Sequence, residues 1–538
     1  MLGEVDVIRS IQTMPGVSTV GEGATGFNVR GGNIDQNLIL LDEAPVYNTS
    51  HLLGLFSVFN PDAVKDVTLI KGGIPAQYGG RLSSLLDIRM KEGNSKHFEA
   101  SGGLGTIFSR LTVEGPISKN RSSFVVSGRR SYADVFLKLS NDESLNNNTL
   151  YFYDLSTKVN FQINENNHVY ASGYFGKDVF KFDDDFSSDW GNATATIRWN
   201  HLFSQKLFSN FTAVYSNYDY ALGVPEGSDA FEWNSRIVNY LGKADFSYYI
   251  NPKNTLHFGG QFTWYQIRPG RIRPLNDRSI FNELALERRQ AREYAVYLEN
   301  EQTLGKRLSL RYGLRFSAYD LLGSGTYYDF EGELGKRREP TNPQTYGNGE
   351  VVTTYTNFEP RASLRYQVSE QSSIKASYNR TAQYISLISN TLAAAPTDVW
   401  TLSTNIIKPQ LADQYALGYF RNFKNNTIET SVEVYYKDMF NQIAYVDGAE
   451  LLLNEFLEGE LLFGIGRSYG AEFYVRKNNG PLTGWVSYTL SKTEQKVEGI
   501  NNSDWFNAKY DRTHNLTIVG MYQLNKAMVI FGQLCLRH

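Results

Sequence analysis

The sequence predicts a membrane β-barrel with a small α/β domain at its N-terminus. The first observation is an alternation of apolar and polar residues that recurs in long segments after residue 99. Between Ile428 and Lys437, for example, even-numbered residues are mostly apolar and odd-numbered residues are mostly polar. A period of two is typical of strands whose two faces meet different surroundings. We expect about nineteen strands of this kind.

The second observation is a repeated contrast between short polar turns and long polar loops. The short turns lie at residues 164–167, 204–206, 251–254, 305–307, 369–371, 423–426, 478–481 and 524–526. The long loops lie at residues 132–149, 179–189, 220–230, 269–288, 322–355, 380–411, 439–464 and 494–509. Outer-membrane barrels have short turns on the periplasmic side and long loops on the extracellular side. The pattern therefore predicts the orientation of the barrel as well as its fold.

The composition agrees with a barrel and excludes a helical membrane protein. Aromatic residues make up 14% of the 538 residues, as expected where aromatic girdles mark both membrane interfaces. No apolar run approaches the roughly 18 residues that a membrane helix needs. The net charge of -3 argues against nucleic acid as a partner. The single cysteine, Cys535, cannot form an internal disulfide.

Residues 1–93 lack the alternation and are predicted to form a separate domain, which leaves residues 94–538 for the barrel. Glycine-rich boundaries there predict short strands at residues 27–30, 38–41 and 67–70. Asn60 and Pro61 predict the start of a helix, because Asn is a good N-cap and Pro suits the first helical position. We therefore expect a small α/β unit.

Five short segments of this domain follow one another in a specific order. They read Phe27-Asn28-Val29-Arg30-Gly31-Gly32, Leu40-Leu41-Asp42-Glu43-Ala44-Pro45-Val46, Val64-Lys65-Asp66-Val67-Thr68-Leu69-Ile70-Lys71-Gly72-Gly73, Gln77-Tyr78-Gly79-Gly80-Arg81 and Leu86-Asp87-Ile88. Together they resemble the plug domain of TonB-dependent outer-membrane receptors. Later stretches around Lys408-Pro409, Ser468 to Glu472 and Tyr510 to Leu516 are similar to barrel segments of the same receptors. The resemblance implies a structural role for the motif residues Arg30, Gly31, Gly32, Asp42, Pro45, Gly72, Tyr78, Gly79 and Gly80.

The resemblance implies a 22-stranded barrel in the outer membrane of a Gram-negative bacterium, with the plug folded inside the lumen. It implies active uptake of a scarce nutrient, such as a siderophore, cobalamin, a peptide or a glycan. The energy would come from TonB, with ExbB and ExbD, through a segment that precedes Met1. Since nineteen strands fall short of 22, we expect about three strands to be missing after His538. The resemblance also implies a TonB box ahead of the plug, and since the sequence shows none, we expect it to be truncated at the N-terminus as well.

The sequence looks most like receptors of the Bacteroidetes type, some of which carry a carboxypeptidase-regulatory-like domain before the plug. The sequence does not say whether such a domain precedes this plug. The glycan-importing SusC branch has Asp-Gly where this chain has Asp42-Glu43. We therefore do not expect a SusD-type lipoprotein partner. Outer-membrane lipid and lipopolysaccharide are expected partners of any such barrel.

Candidate ligand contacts are the residues expected at the plug apex and in the long loops. At the apex these are Tyr47, Asn48 and His51, and in the loops they are Arg273, Tyr346 and Trp400. A basic cluster at Arg268, Arg271 and Arg273 would meet either an anionic ligand or the lipopolysaccharide surface. The sequence does not choose among ligand classes.

No feature of the sequence favours an enzyme. There is no His-Glu-x-x-His spacing, no Gly-x-Ser-x-Gly elbow and no Cys/His cluster, so we expect no catalytic residues, no metal site and no cofactor. The alternative function is a passive porin or a surface adhesin. Such a barrel needs no plug, and residues 1–93 argue against it.

Overall fold

The structure is a computed structural model that describes residues 6–19, 26–138, 146–183, 185–389, 395, 398–525 and 528–537. The described residues between 6 and 90, the N-terminal part, form one short helix, two 3-10 turns and eight strands. In chain order these are α1 (Val7–Ile11), β1 (Val17–Ser18), β2 (Asn28–Val29), the 3-10 turn Ile34–Gln36, β3 (Asn37–Leu41), β4 (Ala44–Pro45), β5 (Ser50–His51), the 3-10 turn Leu52–Gly54, β6 (Phe56–Ser57), β7 (Val64–Ile70) and β8 (Ser84–Met90). No helix in the described ranges has the length and apolarity needed to cross a membrane.

The N-terminal part is built on a four-stranded sheet in the order β4-β3-β8-β7. Strands β3 and β8 are parallel, whereas β7 pairs antiparallel with β8. One face of the sheet packs against α1 through a cluster that includes Ile8, Val29 and Leu86. The result is a small domain with its own apolar core.

The helix predicted at Asn60 and Pro61 is wrong. Asn60 does accept a hydrogen bond from the Asp62 backbone N–H at 3.0 Å, as a cap would, but only a turn follows it. The next residues, Val64–Ile70, form β7 instead. They are rich in β-branched side chains, and pairing with β8 stabilises them as a strand.

The remaining elements belong to the barrel and its loops. They are β9 (Glu99–Leu104), β10 (Phe108–Ser118), β11 (Ser122–Ser131), α2 (Ala133–Lys138), β12 (Thr149–Asn164), β13 (Asn167–Phe182), β14 (Phe186–Ser204), β15 (Leu207–Val224), β16 (Phe231–Asn251), β17 (Asn254–Pro274), β18 (Leu284–Ala285), β19 (Arg289–Leu304), β20 (Leu308–Leu322), β21 (Gly325–Glu331), β22 (Glu339–Tyr346), β23 (Val351–Ser369), β24 (Ser372–Gln383), β25 (Ile385–Ile388), β26 (Val399–Leu402), β27 (Gln410–Phe423), β28 (Ile428–Tyr445), the 3-10 turn Leu457–Glu460, β29 (Leu461–Lys477), β30 (Leu482–Val497), the 3-10 turn Asn501–Ser503, β31 (Phe506–Asn507), β32 (His514–Gln523) and β33 (Val529–Arg537).

The barrel strands follow chain order around one closed sheet in which each strand pairs antiparallel with the next along the wall, and the two loop hairpins β21–β22 and β25–β26 are separate from this sheet. In the described residues, nineteen of its strands have six residues or more, and β18 and β31 have two each. This confirms the expected number. Strands meet at short turns where the sequence placed them, for example between Asn164 and Asn167 and between Asn251 and Asn254.

The two faces of the wall differ as the alternation predicted. On β28, Val432 and Tyr436 point outward and are 43% and 41% exposed, which suits a lipid-facing surface. Their neighbours Glu433 and Lys437 point inward and hydrogen-bond to the N-terminal domain. The prediction of one apolar and one polar face is confirmed.

The N-terminal domain lies inside the barrel. Its residues are hydrogen-bonded to lumen-facing side chains all round the wall, including Ser127, Asp178, Asn192, Ser216, Glu299, Arg361, Gln414, Glu472 and Asn515. The hairpin β25–β26 also folds inward over it, because the Leu387 backbone N–H donates to Asp35 at 3.1 Å. The lumen is therefore filled both by the N-terminal domain and by this loop hairpin, which contacts the domain.

Candidate functional site between the N-terminal domain and the barrel wall

A left-handed turn after β2 brings Arg30 against the wall. Arg30 has φ 46° and Gly31 has φ 66°. A Cβ on Gly31 would lie 2.1 Å from Ser468 Oγ and 2.3 Å from Thr493 Oγ1, so only glycine allows this approach. The turn thus places a guanidinium beside β28 and β29.

Arg30 is held there by two glutamates of the wall. Its Nε lies 2.7 Å from Glu472 Oε1, and its Nη2 lies 3.1 Å from both Glu472 Oε2 and Glu433 Oε2. Lys71, at the end of β7, reaches the same Glu472 carboxylate at 2.5 Å. Burial alone would lower the pKa of Arg30, but the two carboxylates outweigh it and raise the pKa. Loss of one partner of such a buried ion pair typically costs about 3–5 kcal/mol. We call these four residues the Arg30 cluster.

A second contact forms at the tight turn between β3 and β4. Asp42 and Glu43 both have positive φ, 45° and 76°, as the central residues of a two-residue hairpin loop do. Asp42 Oδ2 lies 2.9 Å from Lys158 Nζ. Glu43 is bonded to Lys243 and lies 2.9 Å from Arg89. Burial would raise the pKa of Glu43, but these cations lower it overall. Glu43 stands where the SusC branch has the glycine of Asp-Gly. Its side chain makes ion pairs that a glycine could not make.

The segment 72–80 forms a third contact. Arg361 Nη1 donates to the Pro75 and Tyr78 carbonyls at 2.5 Å each, and Arg315 Nη1 donates to the Gln77 carbonyl at 3.3 Å. A Cβ on Gly79 would lie 2.4 Å from Arg315 Nε, so this glycine makes room for the arginine. Backbone carbonyls of the N-terminal domain are thus satisfied by buried cations of the wall.

The other motif residues have simpler positions. The Pro45 carbonyl accepts from Ser216 Oγ at 2.7 Å. Gly32 abuts Ser83 within the N-terminal domain, Gly72 lies beside Arg30, and Gly80 takes φ 81° in a turn. Most of the motif thus lies where the domain meets the wall, and its structural role stays a prediction.

His51 lies in a buried charged cluster rather than in an open loop. Its Nδ1 is 2.6 Å from Asp178 Oδ2, and its Nε2 is 3.3 Å from Asp154 Oδ2 and 3.1 Å from the Tyr174 hydroxyl. Arg129 Nη2 shares Asp154 at 2.6 Å. Burial alone would lower the pKa of His51, but the two carboxylates raise it to about 9. The imidazole is therefore a cation at neutral pH that joins the domain to β12 and β13.

The predicted apex residues Tyr47 and Asn48 do meet a predicted loop residue. The Tyr47 and Trp400 rings are in edge contact, with centroids 5.0 Å apart, and Arg81 lies 5.4 Å from the Trp400 centroid. Asn48 Nδ2 donates to the Tyr218 hydroxyl at 3.3 Å. A cavity of about 60 Å³ lies among them. We call this group the apex aromatic site.

Two of the predicted loop residues, Arg273 and Tyr346, do not line this cavity. Arg273 is exposed and pairs with Glu232 at 3.0 Å. Tyr346 is in edge contact with Tyr327, at the rim of the large aromatic cluster that also contains Trp400. Ligand contact by any of the six candidates stays a prediction.

The sequence does not identify which wall residues hold the N-terminal domain. Glu472 ends the stretch from Ser468 that resembles barrel segments of the receptors, and Glu433 is a polar member of an alternating strand, but nothing in the sequence marks either as a partner of Arg30. Arg315 and Arg361 were likewise visible only as inward-facing positions. The available signal for a wall residue that contacts the N-terminal domain was a charged side chain at a strand position that the alternation assigns to the lumen.

A larger cavity of about 740 Å³ lies at the periplasmic end, between the end of β7 and the wall. It is lined by more cations than carboxylates, and the cations are Arg30, Lys71, Lys253, Arg311, Arg365 and Lys375.

Family models recognise both parts of the chain. The model described as "TonB dependent receptor-like, beta-barrel" matches residues 131–524, and the "TonB-dependent Receptor Plug Domain" matches residues 2–84. The chain belongs to the TonB-dependent receptors. The N-terminal domain is accordingly the plug, and the receptor lies in the outer membrane of a Gram-negative bacterium. No curated protein sequence matches it.

Solved structures share the fold of the receptor at low sequence identity. The FrpB iron transporter from Neisseria meningitidis (F3-3 variant) has a TM-score of 0.67 at 13% identity, covering 96% of this chain and 82% of its own. The alcaligin receptor FauA from Bordetella pertussis has a TM-score of 0.66 at 12% identity, covering 100% and 85%. The copper transporter OprC has a TM-score of 0.70 at 12% identity, covering 97% and 82%.

Proposed function

We propose that this receptor actively imports a scarce nutrient, bound at the apex aromatic site and released to the periplasm when TonB pulls on the plug. The observation that carries the proposal is the filled lumen, since a plug hydrogen-bonded all round the wall makes passive flow of a nutrient unfavourable. An energised step is then needed to open a path.

The plug–wall contacts described above suit a plug that must move and return. Those contacts are mostly ion pairs and hydrogen bonds, as in the Arg30 cluster and at Arg361, and apolar packing adds smaller patches such as Leu52 and Phe56 on Phe152. Water can replace such contacts when the plug shifts, whereas an interdigitated apolar interface would expose surface at about 25 cal/mol per Å².

We propose an iron or other metal chelate of the siderophore class as the first candidate cargo. The apex aromatic site offers ring faces together with a guanidinium, and this combination suits an anionic, partly aromatic ligand. The similar structures include an iron transporter, an alcaligin receptor and a copper transporter, which supports the same class. Cobalamin, peptides and glycans are the other candidates.

The proposal is tested by uptake of radiolabelled ferric siderophores into cells that produce the full-length receptor. We expect uptake that stops on loss of TonB or on addition of a protonophore. Uptake that survives both would overturn active import and favour a passive barrel.

Variants at the apex separate the binding site from the transport step. Trp400→Ala and Arg81→Gln should each weaken binding of the transported chelate at least tenfold, as measured on purified receptor. Phe423→Ala, which removes an exposed ring at a periplasmic turn, is the matched control and should bind like the wild type. Equal binding by all four proteins would place the ligand site elsewhere while leaving active import intact.

A further inference from the structure

The cavity at the periplasmic end is a recess in the barrel wall that a turn of the plug covers. Small side chains on four neighbouring strands form the recess, and they are Ser309, Ser363, Ser377, Ala416 and Gly418. The plug turn at Gly72 and Gly73 lies over it, and a Cβ on Gly73 would lie 3.3 Å from Ser377 Cβ. At about 740 Å³ the cavity is large enough for a small-molecule ligand.

Two cations of the wall lie side by side in this recess. Arg365 on β23 and Lys375 on β24 are direct cross-strand partners, both line the cavity, and both are exposed. They are on the lumen face, since Arg361 and Asn379, four residues along the same two strands, hydrogen-bond to the plug. Like charges directly opposite each other are destabilising. An anion bound to both side chains would relieve this repulsion.

The carboxylates that line the cavity are paired with other residues. Among the described lining residues these are Glu301 and Glu433. Glu433 lies 3.1 Å from Arg30 and is two strands away from Lys375 along the wall. Glu301 lies 3.8 Å from Arg311. Neither glutamate therefore neutralises the pair on β23 and β24.

Three lining cations consequently have no acidic partner. Within the described part of the chain, no carboxylate lies within ion-pair distance of Arg365, Lys375 or Lys253. Lys253 belongs to the short turn before β17, at the periplasmic mouth of the cavity. Lys375 Nζ lies 4.3 Å from the centroid of the Phe420 ring, which also lines the cavity. The recess thus combines unpaired positive charge with an aromatic ring.

One plug segment, residues 72–80, separates this recess from the apex aromatic site. A cavity of about 60 Å³ shares Tyr47 and Arg81 with the apex cavity and is lined on its other side by residues 77–80. The periplasmic cavity begins at Gly72 and Gly73 of the same segment. Both cavities lie along β17 and β19 of the wall. Movement of this segment would therefore join the apex to the recess.

We propose that the periplasmic cavity is a second binding site for the cargo, which holds an anionic metal chelate after it has passed plug segment 72–80. This inference rests on the proposed import of such a chelate. Arg365 and Lys375 bind its negative charge, and the Phe420 ring packs against its aromatic part. A cargo with two or more negative charges is favoured, because it neutralises both cations. Since both are exposed, salt screens the attraction, and the chelate can leave for the periplasm.

Equilibrium dialysis of the purified full-length receptor against radioactive gallium(III) complexes tests this proposal. The probes are the trianionic tris-catecholate complex and the uncharged tris-acetohydroxamate complex, which share the metal and its octahedral geometry. We expect a site that binds the trianion at least tenfold more tightly than the uncharged complex. The double variant Arg365→Gln, Lys375→Gln should lose this site. The matched control Arg121→Gln, Lys206→Gln removes two exposed charges from other periplasmic turns and should keep it.

The apex variant Trp400→Ala distinguishes this inference from the proposed function. The site in the cavity should persist in this variant, even if the wild type binds neither complex at the apex. A trianion site that is lost in Trp400→Ala but kept in the double variant would lie at the apex, which overturns the inference and leaves active import intact.

Two further results bear on the ligand itself. Inorganic phosphate at the concentration of the probe should not displace the trianion, and complete displacement would mean a site for free phosphate instead of cargo. The inference is also overturned if the wild type binds the trianionic and uncharged complexes alike, a result that does not depend on any variant folding.

Discussion

At the scale of single residues, Glu472 is the centre of the contact between plug and wall. Its carboxylate accepts hydrogen bonds from Arg30 Nε at 2.7 Å and from Lys71 Nζ at 2.5 Å, and its side chain is almost wholly buried. Glu472→Gln keeps the shape of the side chain but removes the negative charge that pairs with Arg30 and Lys71. We expect the free energy of plug unfolding to fall by about 3–5 kcal/mol, measured by denaturant-dependent protease cleavage of the plug.

The control for this variant is Glu429→Gln, on the neighbouring strand near the periplasmic turns. Glu429 accepts from Asn478 at 2.7 Å and has no contact with the plug among the described residues. It should leave cleavage unchanged. If Glu472→Gln behaves like Glu429→Gln, the Arg30 cluster does not hold the plug.

His51 gives the plug a pH-dependent contact. Its pKa is raised from about 6.5 to about 9, so the folded protein binds the proton more tightly than the unfolded chain. The stabilisation is complete below pH 6.5 and is lost as the pH rises through 9. We expect the free energy of unfolding to fall by up to about 3 kcal/mol over this range.

The comparison is with His51→Gln, whose stability should lack this fall between pH 6.5 and 9. His97→Gln serves as control because His97 is exposed and outside the plug. Parallel pH profiles for the wild type and His51→Gln would show that Asp154 and Asp178 do not hold a charged imidazole.

The sequence predicted the plug side of these contacts better than the wall side. Arg30 was recognised within a motif, but its partners Glu433 and Glu472 are 403 and 442 residues away in the chain. A two-residue period says which face of a strand a carboxylate is on. It does not say which residue it will meet across a lumen.

At the scale of elements, strands were predictable because their pattern is local. The alternation on β28 and the turn at Asn251 follow from neighbouring residues alone, and both are present in the structure. The helix expected at Asn60 failed because pairing of β7 with β8, a non-local contact, outweighed a good capping residue. The inward hairpin β25–β26 was predicted only as part of a long loop, since nothing local marks its contact with the plug.

One contact between that hairpin and the plug is made by Asp35, beside the contacts that Arg81 makes with Ile385 and Trp400. The carboxylate accepts from the Leu387 backbone N–H at 3.1 Å and from Gln383 Nε2 at 2.9 Å. Asp35→Ala removes both acceptors, and a buried donor left unsatisfied costs about 1–3 kcal/mol. We expect amide hydrogen exchange in β25 and β26 to become about tenfold faster.

Asp66→Ala is the matched control, because Asp66 is an exposed plug residue whose side chain accepts only from Thr68 among the described residues. Its exchange in β25 and β26 should match the wild type. Unchanged exchange in Asp35→Ala would mean that other contacts hold the hairpin down, such as the bond from Arg81 to the Ile385 carbonyl and the contact of Tyr47 with Trp400.

At the scale of the whole molecule, the orientation and the wall could be predicted, but the fit of the plug could not. Short turns and long loops define the two ends of the barrel from sequence alone. How the plug fills the lumen depends on contacts such as Arg361 with Tyr78, which join distant parts of the chain. The filled lumen is therefore the property that most needs a direct measurement.

Ion conductance in planar bilayers provides that measurement. The receptor leaves a cavity of about 740 Å³ at the periplasmic end, but the plug above it is bonded to wall residues such as Asp178, Arg361 and Glu472. We expect the intact protein to conduct weakly. A variant that begins at residue 94 should conduct at least tenfold more, because a barrel this wide encloses an aqueous channel once its filling is removed.

Heat-dependent migration in gels shows whether the plug-free variant still forms a barrel, so a failure to fold is told apart from a closed pore. The cations Lys253, Arg365 and Lys375 line the periplasmic cavity and stay in the wall of this variant. Its current should accordingly favour anions, and Lys253→Gln with Arg365→Gln should reduce that preference. A folded, plug-free barrel that conducts no better than the intact receptor would mean that the long loops, and not the plug, close the lumen.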